Sequence, residues 1–496
     1  MAAAREYVAA MPRAAFSVYR RVTILVCASL LALSVAASAA QASKPSVGHA
    51  KFSPALLPSA GGHAKLTFKA KHASKCSLKS SLRFVKVPRS VKCSHGTAHV
   101  TLRVPRNASR AVESVTITIT AKRGHHAAHK KLTLQVLGAP ELALGVEFGC
   151  ELINGKVYCW GEDFEGQLGR GTVSAASPTP AQVTLPARAV QVGAGYSAAC
   201  ALLATGQVYC WGNDERGVVG QPPTPEPIPK PTLVAGLTGA KSLSMGDGDA
   251  CVVLRNASAE CWGNDETDQA GNGNSNEEVL SVYTPTTVIG VSNVVSLAVS
   301  EKSTCAVIKG GTVKCWGDGE LGQLGDGKLT ADVVVTTPVS AIVSGVTQLA
   351  ASWYDFCAVT SGHQDECWGG DQLGEADDGA TGAPVETPAV AHGLGPVSYT
   401  GQGTRTLCAI SDGHVFCWGY GENGQLGNGE TRLDAASAVE AQGITTAADV
   451  ASGESDSCAV LVNETTDCWG ENERGAVGDG TTGERVTTPT PVTGLP

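Results

Sequence analysis

Cysteine is the residue type whose spacing says most about chemistry in this chain. Fourteen of the 17 cysteines form seven pairs with eight or nine residues between the two members, and Trp-Gly follows every second member. The pairs are Cys150 and Cys159, Cys200 and Cys210, Cys251 and Cys261, Cys305 and Cys315, Cys357 and Cys367, Cys408 and Cys417, and Cys458 and Cys468. Sulfur atoms spaced in this way could form disulfides, bind zinc or carry out redox chemistry.

Disulfide formation is the chemistry that the spacing favours. Zinc-binding pairs usually have about two to four residues between the ligands, and redox catalysts use a C-x-x-C motif that is absent here. In the first pair, Asn154-Gly155 predicts a two-residue hairpin turn that places Cys150 opposite Cys159. Opposed Cβ atoms are about 4.5–5.5 Å apart, close to the roughly 3.5–4.5 Å of a disulfide. We therefore expect cross-strand disulfides.

The cysteine pairs belong to a sevenfold repeat. The intervals between successive Cys-Trp dipeptides are 51, 51, 54, 52, 50 and 51 residues. Gly-rich stretches such as Gly166-Gln167-Leu168-Gly169 follow, and then short Val-containing segments. Four short strands per repeat predict an all-β fold, a seven-bladed β-propeller, in which we expect the last strand to complete the blade begun near Leu142.

A tryptophan recurs next to the second cysteine of every pair. Neighbouring residues on a strand point to opposite faces, so these tryptophans point away from the disulfides. They are Trp160, Trp211, Trp262, Trp316, Trp368, Trp418 and Trp469. We expect them to pack between blades as structural residues.

The repeated unit C-A-L-x(4)-G-x-V-x-C-W-G-x-N-x-x-G-Q-L-G resembles the regulator of chromosome condensation repeat family. The resemblance covers about residues 141–496 and is weaker in the third repeat, which has Asp268-Gln269-Ala270-Gly271, and in the fifth. It implies a seven-bladed propeller. The cysteine-rich form resembles secreted bacterial members of the family more than nuclear ones.

The chain is strongly polarised in charge. Residues 44–137 contain 18 Lys/Arg and one acidic residue, whereas residues 138–496 contain 15 Lys/Arg and 44 acidic residues. We expect a basic module over 43–138 and the propeller over 139–496. Basic charge predicts contact with an anionic surface polymer. Docking on the acidic propeller and a merely solvated surface remain open alternatives, and without a base-reading motif no specific nucleic-acid binding is expected.

The basic module has the alternating pattern of β-strands. Leu66, Phe68 and Ala70 alternate with polar residues, and similar patterns recur further along, which predicts a β-sandwich with one buried face. The segment resembles bacterial immunoglobulin-like modules. That resemblance implies a disulfide between Cys76 and Cys93.

Residues 1–42 have the order of an export signal. Basic residues precede the apolar run Val22–Val35, and small residues follow it. Cleavage would give a secreted or cell-surface protein with an even number of cysteines. Without cleavage, the run Val22–Ala40 would act as a membrane anchor.

The sequence contains no recognisable catalytic motif. The propeller has three histidines, His363, His392 and His414, and neither G-x-S-x-G, H-E-x-x-H nor a phosphate-binding loop. Acidic residues are too abundant to single out a catalytic pair. We therefore expect a non-enzymatic protein without a cofactor or bound metal.

One set of positions varies while the surrounding repeat does not. These positions lie three and four residues before the first cysteine of each pair, where the chain enters the hairpin. Antiparallel geometry predicts that they all lie at the same rim of the propeller. The candidate binding residues there are Glu147, Tyr196, Asp247, Glu301, Lys302, Trp353, Tyr354, Arg405 and Glu454. Variable loops on a rigid scaffold often bind partners, and Trp, Tyr and Arg are common anchors. Alternatively, Trp353 simply covers a neighbouring blade.

These observations predict an exported binding protein whose rim recognises an unknown protein or surface polymer. The family resemblance implies two alternatives, guanine-nucleotide exchange as in nuclear members and inhibition of a secreted enzyme such as a β-lactamase. A catalytic function would require convergent acid and base groups, which the sequence does not display.

Overall fold

The computed structural model describes residues 43–57, 62–83, 85–93, 97–105, 107, 113–136, 138–273, 280–330, 334–376 and 379–496. Regular structure in these residues consists of 35 strands in nine sheets. The export signal expected at 1–42 lies outside the described residues. No helix in the described ranges is long and apolar enough to cross a bilayer.

Two sheets form the basic N-terminal part. Their strands are β1 (Ser46–Ser53), β2 (Leu56–Leu57), β3 (Gly62–Lys71), β4 (Lys75–Ser80), β5 (Thr97–Val104), β6 (Glu113–Arg123) and β7 (His126–Val136). One sheet has the order β1-β3-β5 and the other β2-β7-β6-β4. In β3, Leu66 and Phe68 are buried while Lys65 and Lys69 are exposed. Residues of both sheets form one hydrophobic cluster, as the alternating pattern predicts; the immunoglobulin-like likeness stays a prediction.

Seven sheets of four consecutive antiparallel strands make up the acidic part, and we number them blades 1 to 7 in chain order. Blade 1 contains β8 (Glu141–Leu144), β9 (Phe148–Ile153), β10 (Lys156–Glu162) and β11 (Ala176–Gln182). Blade 2 contains β12 (Ala189–Ala194), β13 (Ala198–Leu203), β14 (Val208–Asp214) and β15 (Thr224–Leu233). Blade 3 contains β16 (Ala240–Met245), β17 (Asp249–Leu254), β18 (Ala259–Asn264) and β19 (Ser281–Thr287).

The remaining blades repeat this arrangement. Blade 4 contains β20 (Val294–Val299), β21 (Ser303–Ile308), β22 (Thr312–Gly317) and β23 (Val335–Ser340). Blade 5 contains β24 (Val346–Ala351), β25 (Asp355–Thr360), β26 (Asp365–Gly369) and β27 (Val385–Val390). Blade 6 contains β28 (Val397–Thr400), β29 (Thr406–Ser411), β30 (His414–Gly421) and β31 (Arg432–Glu440). Blade 7 contains β32 (Ala447–Ser452), β33 (Asp456–Leu461), β34 (Thr466–Gly470) and β35 (Val486–Pro491).

The blades form a propeller-like ring around their first strands. Each first strand contacts the first strand of the next blade, and β32 contacts β8, so the order closes on itself. The expectation that the last strand completes the first blade is wrong, because β35 pairs with β34 and β8 pairs with β9. Each blade supplies its own four strands, and the ends of the ring are joined by contacts between blades.

The paired cysteines lie opposite each other in the hairpins between second and third strands, and every pair predicted from the spacing forms a disulfide. The seven bonds have Cα–Cα distances of 4.0 or 4.1 Å. They join Cys150 to Cys159, Cys200 to Cys210, Cys251 to Cys261, Cys305 to Cys315, Cys357 to Cys367, Cys408 to Cys417 and Cys458 to Cys468.

The strand register explains why hairpins of two loop lengths accommodate the same bond. Cys150 is the register partner of Cys159, where eight residues intervene, and Cys200 is the partner of Cys210, where nine intervene. In the first hairpin both turn residues, Asn154 and Gly155, have positive φ, as the predicted turn requires. An eighth disulfide, outside the ring, joins Cys76 to Cys93.

The seven repeat tryptophans are fully buried in the seams between blades. Trp211 Nε1 donates to the carbonyl of Gln167 in the preceding blade at 2.8 Å, and Trp469 Nε1 donates to that of Gln425 at 2.7 Å. Gly169 allows this approach, because a Cβ atom there would lie 2.8 Å from Trp211 Nε1. The repeated glycines and tryptophans therefore form one packing unit.

Candidate functional site at the rim of the ring

All nine candidate binding residues lie in equivalent connections between the first and second strands of the blades. We call these connections the rim segments: 145–147, 195–197, 246–248, 300–302, 352–354, 401–405 and 453–455. They lie at the same end of the ring because every first strand ends there and every second strand begins there. The structure thus places the sequence-predicted residues on one face.

Backbone hydrogen bonds join neighbouring rim segments. Val146 N donates to Tyr196 O, and Tyr196 N donates to Asp247 O, both at 3.0 Å. On the other side of the ring, Glu301 N donates to Trp353 O at 3.2 Å, and Trp353 N donates to Thr404 O at 2.9 Å. The variable residues of these six blades therefore project from two preorganised runs of backbone, one in blades 1 to 3 and one in blades 4 to 6.

Small residues make this close approach possible, a signal that the sequence analysis missed. Every rim segment begins with Gly or Ser; these residues are Gly145, Gly195, Gly246, Ser300, Ser352, Gly401 and Gly453. A Cβ atom on Gly195 would lie 2.2 Å from the carbonyl oxygen of Gly246. A larger residue would push adjacent blades apart at the rim.

The rim surrounds the mouth of a central channel. The mouth is a small cavity of about 30 Å³ whose wall includes Tyr196, Asp247, Glu301 and Trp353. Below it, a cavity of about 200 Å³ runs between the first strands. Tyr196 remains 46% exposed, so an aromatic surface is available beside the mouth.

Gln402 separates the mouth from the channel. It lines both cavities, and its Nε2 donates to the carbonyl of Met245 on the far side of the ring. Six residues before the first cysteine, the other blades have Leu144, Ala194, Met245, Val299, Ala351 and Ser452. Gln402 is thus the one amide among these seven positions, a difference that was visible in the sequence.

An aromatic and arginine cluster occupies the rim of blades 5 and 6. The ring centroids of Trp353 and Tyr354 are 6.0 Å apart. The Arg405 guanidinium carbon lies 5.2 Å from the Trp353 centroid and 5.0 Å from the Tyr420 centroid. Arg405 Nη1 is also 3.9 Å from Glu454 Oε1. Cation–π contacts and the ion pair hold Arg405 in place; Tyr420 was not predicted.

A second cluster lies at blades 7 and 1. Arg474 Nε is 3.9 Å from Glu147 Oε2, and its guanidinium carbon is 5.0 Å from the Phe164 centroid. Burial, followed by repulsion from Glu162, raises the pKa of Glu147 to about 7. The guanidinium group of Arg474 therefore lies beside a carboxyl group, that of Glu147, whose pKa is close to neutral pH.

The acidic residues of the mouth are also perturbed. Burial and then the nearby Glu301 raise the pKa of Asp247 to about 6. Asp247 Oδ1 and Glu301 Oε2 are buried without a hydrogen-bond partner among the described residues. Lys302, in contrast, contributes its backbone to the neighbouring blade, accepting a 2.7 Å hydrogen bond from Thr267 Oγ1.

Within the described parts of the chain, Cys357, Asp365 and Cys367 form a geometric cluster of possible metal ligands. The two sulfur atoms are bonded to each other, so they are not available as thiolate ligands. His363 and His414 belong to the hairpin ends away from the rim, where His414 Nδ1 lies 2.7 Å from Glu440 Oε1. The rim is therefore the site that concentrates the variable side chains.

Comparison with known proteins finds a matching repeat family for part of the chain. A family model described as Regulator of chromosome condensation (RCC1) repeat matches residues 154–202, 205–254 and 412–460. A second family model with this description matches residues 189–218. The human E3 ubiquitin-protein ligase HERC2 is 28% identical over 317 residues, which cover 61% of this chain but 6% of HERC2. The ultraviolet-B receptor UVR8 of Arabidopsis thaliana is 25% identical over 357 residues, 69% of this chain and 79% of UVR8.

A solved structure shares the fold. Yeast RCC1 (Prp20), in its complex with Kap60, superposes with a TM-score of 0.61 at 20% identity, covering 71% of this chain and 85% of that one. These relatives are eukaryotic, so the secreted bacterial type stays a prediction. Parts of the chain therefore match regulator of chromosome condensation repeats, and its propeller-like ring shares the fold of a solved protein with these repeats.

Proposed function

We propose that the protein is an exported, non-catalytic binding protein whose rim recognises a protein or polymer. The observation that carries this proposal is the rim backbone, in which hydrogen bonds join the variable segments of blades 1 to 3 and those of blades 4 to 6. A rigid surface loses little conformational entropy on binding, which favours affinity. Trp353, Tyr354 and Arg405 supply the residue types that dominate binding energy in protein interfaces.

The basic two-sheet part serves as a second contact, with anionic surface polymers as its ligands. Lys122 and Arg123 end β6, and His126 begins β7, so their hairpin presents several exposed basic residues. Such contacts weaken with salt, because exposed charges are screened over about 8–10 Å at physiological ionic strength. The export signal fits this role, since it would bring the chain to the cell surface or medium.

Inhibition of a secreted enzyme is a specific form of the proposed function. The disulfides and the hydrogen-bonded rim favour it, because tight inhibitors usually present surfaces that change little on binding. Guanine-nucleotide exchange is the alternative carried by the nuclear members of the repeat family. Recovery of a guanine-nucleotide-binding protein as the partner would favour that alternative.

Affinity capture tests the proposal. The oxidised protein would be immobilised and exposed to surface and secreted extracts, beside Trp353→Ala/Tyr354→Ala and Lys122→Glu/Arg123→Glu variants. Ile342→Ala serves as the control, because Ile342 is 60% exposed and lies outside the rim segments. Rim recognition predicts a partner that resists moderate salt and is lost only with the aromatic double variant. Capture that depends only on Lys122 and Arg123 and is removed by salt would contradict rim recognition.

A further inference from the structure

A pocket beside the rim departs from the repeat pattern. It has a volume of about 200 Å³ and lies at blades 5 and 6. Its lining residues are Trp353, Tyr354, Asp355, Gly370, Gln372, Leu373, Glu375 and Arg405. Three residues after the second cysteine, the other blades carry Glu162, Asn213, Asn264, Asp318, Tyr420 and Glu471, whereas blade 5 has Gly370. The missing side chain leaves space in this blade.

Glu375 replaces a glutamine that other repeats use structurally. In blades 1, 4 and 6, the Oε1 atoms of Gln167, Gln323 and Gln425 accept the backbone amide two residues earlier at 2.8–2.9 Å. Glu375 Oε2 keeps this hydrogen bond, accepting from Leu373 N at 2.7 Å. Where Gln425 donates through Nε2 to Glu454 O, however, Glu375 offers a second acceptor oxygen. Blade 5 therefore has a carboxyl group at the position where these other blades have the side-chain amide donor of glutamine.

Asp355 supplies a second carboxyl group to the same pocket. It is 2% exposed, its Oδ1 accepts a hydrogen bond from Ser352 Oγ, and its Oδ2 has no hydrogen-bond partner among the described residues. A buried, unpaired carboxylate is costly unless an opposite charge or a donor satisfies it. The pocket thus contains an unsatisfied acceptor next to Glu375.

The rest of the pocket suits the stem of a long basic side chain. Trp353, Tyr354 and Leu373 provide aromatic and aliphatic walls. Arg405 lies at the same pocket but already contacts Trp353, Tyr420 and Glu454. Lysine and arginine bury their aliphatic stems on apolar surface while the charged head seeks a polar partner.

We propose that this pocket receives the side chain of a lysine or arginine presented by the binding partner. The stem lies along Trp353 and Leu373, and the charged head is paired with Asp355 and Glu375. Charge-assisted hydrogen bonds to the two carboxylates satisfy both the guest cation and the buried oxygen atoms. The partner's role rests on the proposed binding function, but the pocket itself can be tested without a partner.

The charges around the pocket make the proposed binding dependent on pH. Burial raises the pKa of Glu375 to about 7, with Asp371 adding to the rise and Arg405 opposing it. Burial, followed by repulsion from Glu375 and then Asp371, raises the pKa of Asp355 well above its usual value. A cation binds the ionised carboxylates, so its entry releases protons. Between pH 6 and pH 8 affinity should therefore increase, by up to about tenfold for one proton that titrates in this range.

Small molecules that reproduce only the guest side chain test this inference. The probes are N-acetyl-arginine methylamide, N-acetyl-lysine methylamide and N-acetyl-citrulline methylamide, a neutral isostere of the arginine compound. Binding would be followed by the indole NMR signal of Trp353 in the full protein labelled at tryptophan, assigned with Trp353→Phe. We expect a saturable shift with the two cationic probes, and a shift at least tenfold weaker with citrulline.

Two variants and one matched control complete the test. Glu375→Gln restores the residue found in other repeats, and Asp355→Asn removes the second charge; each should weaken arginine binding at least tenfold at pH 8 and remove part of its pH dependence. Asp249→Asn is the control, because Asp249 is the equivalent buried aspartate of blade 3 and lies outside this pocket. It should leave binding unchanged.

Several outcomes would overturn the inference. These are equal binding of citrulline and arginine, no shift with any probe, or full arginine binding by Glu375→Gln. Preferential binding of benzoate, tested in parallel, would instead assign the pocket to an anion held by Arg405. Because these measurements use no partner, their failure would leave partner capture by the rim intact, and failed capture would leave cation binding intact.

Discussion

Trp160 donates its indole N–H to the carbonyl of Ala476 at 2.8 Å, although 316 positions separate them in the chain. The same tryptophan-to-carbonyl contact joins Trp316 to Gln269 and Trp368 to Gln323 within the ring. The ring therefore closes with the seam used between consecutive blades. No strand has to be exchanged between the first and last blades.

Removing this contact should destabilise the whole ring. Trp160→Phe deletes the donor, leaves the Ala476 carbonyl unpaired and opens space in a buried seam. We expect a loss of at least about 1–3 kcal/mol in the free energy of unfolding, the cost of a buried unsatisfied group. Denaturant unfolding measures it, with Trp368→Phe as the matched internal seam. A loss for Trp368→Phe with none for Trp160→Phe would show that this contact does not close the ring.

The small residues of the rim give a second prediction. Gly195→Ala places a Cβ atom against the Gly246 carbonyl, so we expect a loss of roughly 1–3 kcal/mol from overpacking. Thermal unfolding provides the measurement. Gly362→Ala is the control, because the nearest atom to its Cβ position is 3.6 Å away. Equal thermal midpoints for the two variants would refute the close backbone approach.

The number of free and disulfide-bonded cysteines can be measured directly. The eight disulfides account for all 16 cysteines that follow the expected export signal. After denaturation without reductant, the processed protein should show no free thiol, and after reduction it should show sixteen. Partial proteolysis and mass spectrometry should recover each hairpin as an internally bridged peptide. Peptides bridged between different hairpins would contradict the cross-strand pairing.

Buried carboxyl groups should make the protein more stable in mildly acidic solution. Burial raises the pKa of Glu151 to about 8 and that of Asp365 to about 7. In an unfolded chain such groups titrate near pH 4. Between about pH 4 and pH 8 the folded state therefore binds more protons, and the free energy of unfolding falls as pH rises.

One variant isolates this effect. Asp249 is fully buried, burial raises its pKa well above the usual value, and Asp247 adds to the rise. Asp249→Asn should raise the thermal midpoint at pH 8 and change it little at pH 4. Glu226→Gln, at an exposed position, is the control and should show no such difference. A drop in the midpoint of Asp249→Asn at pH 8 would contradict the account.

The framework of the ring was predictable because its signals repeat. Asn154-Gly155 fixes a hairpin turn, and the alternation of Cys159 with Trp160 assigns one residue to the disulfide and the other to the seam. The rim also followed from strand direction, since Tyr196 and Trp353 precede equivalent strands. The way in which the ring closes could not be inferred from the sequence. Nothing in the sequences of the first and last strands shows whether the last strand pairs within blade 7 or with blade 1.

Details that depend on a single repeat were harder to predict. Gln402 reaches across the channel to Met245, and Tyr420 supports Arg405 from a neighbouring strand. Gln402 and Met245 occupy the same repeat position in different blades, and both contacts depend on side chains that the other repeats do not carry. Gly370 and Glu375 were readable as departures from the pattern, but only the structure shows that they meet in one pocket.

Hydrogen–deuterium exchange of the captured complex tests the central claim, binding through the rim, most directly. The account predicts protection of the rim segments, strongest at 352–354 and 401–405, relative to the free protein. The hairpin turns at the opposite end, such as Asn154-Gly155 and Asp412-Gly413, should exchange as before. Protection confined to those turns or to the basic two-sheet part, with unchanged rim segments, would contradict recognition by the rim.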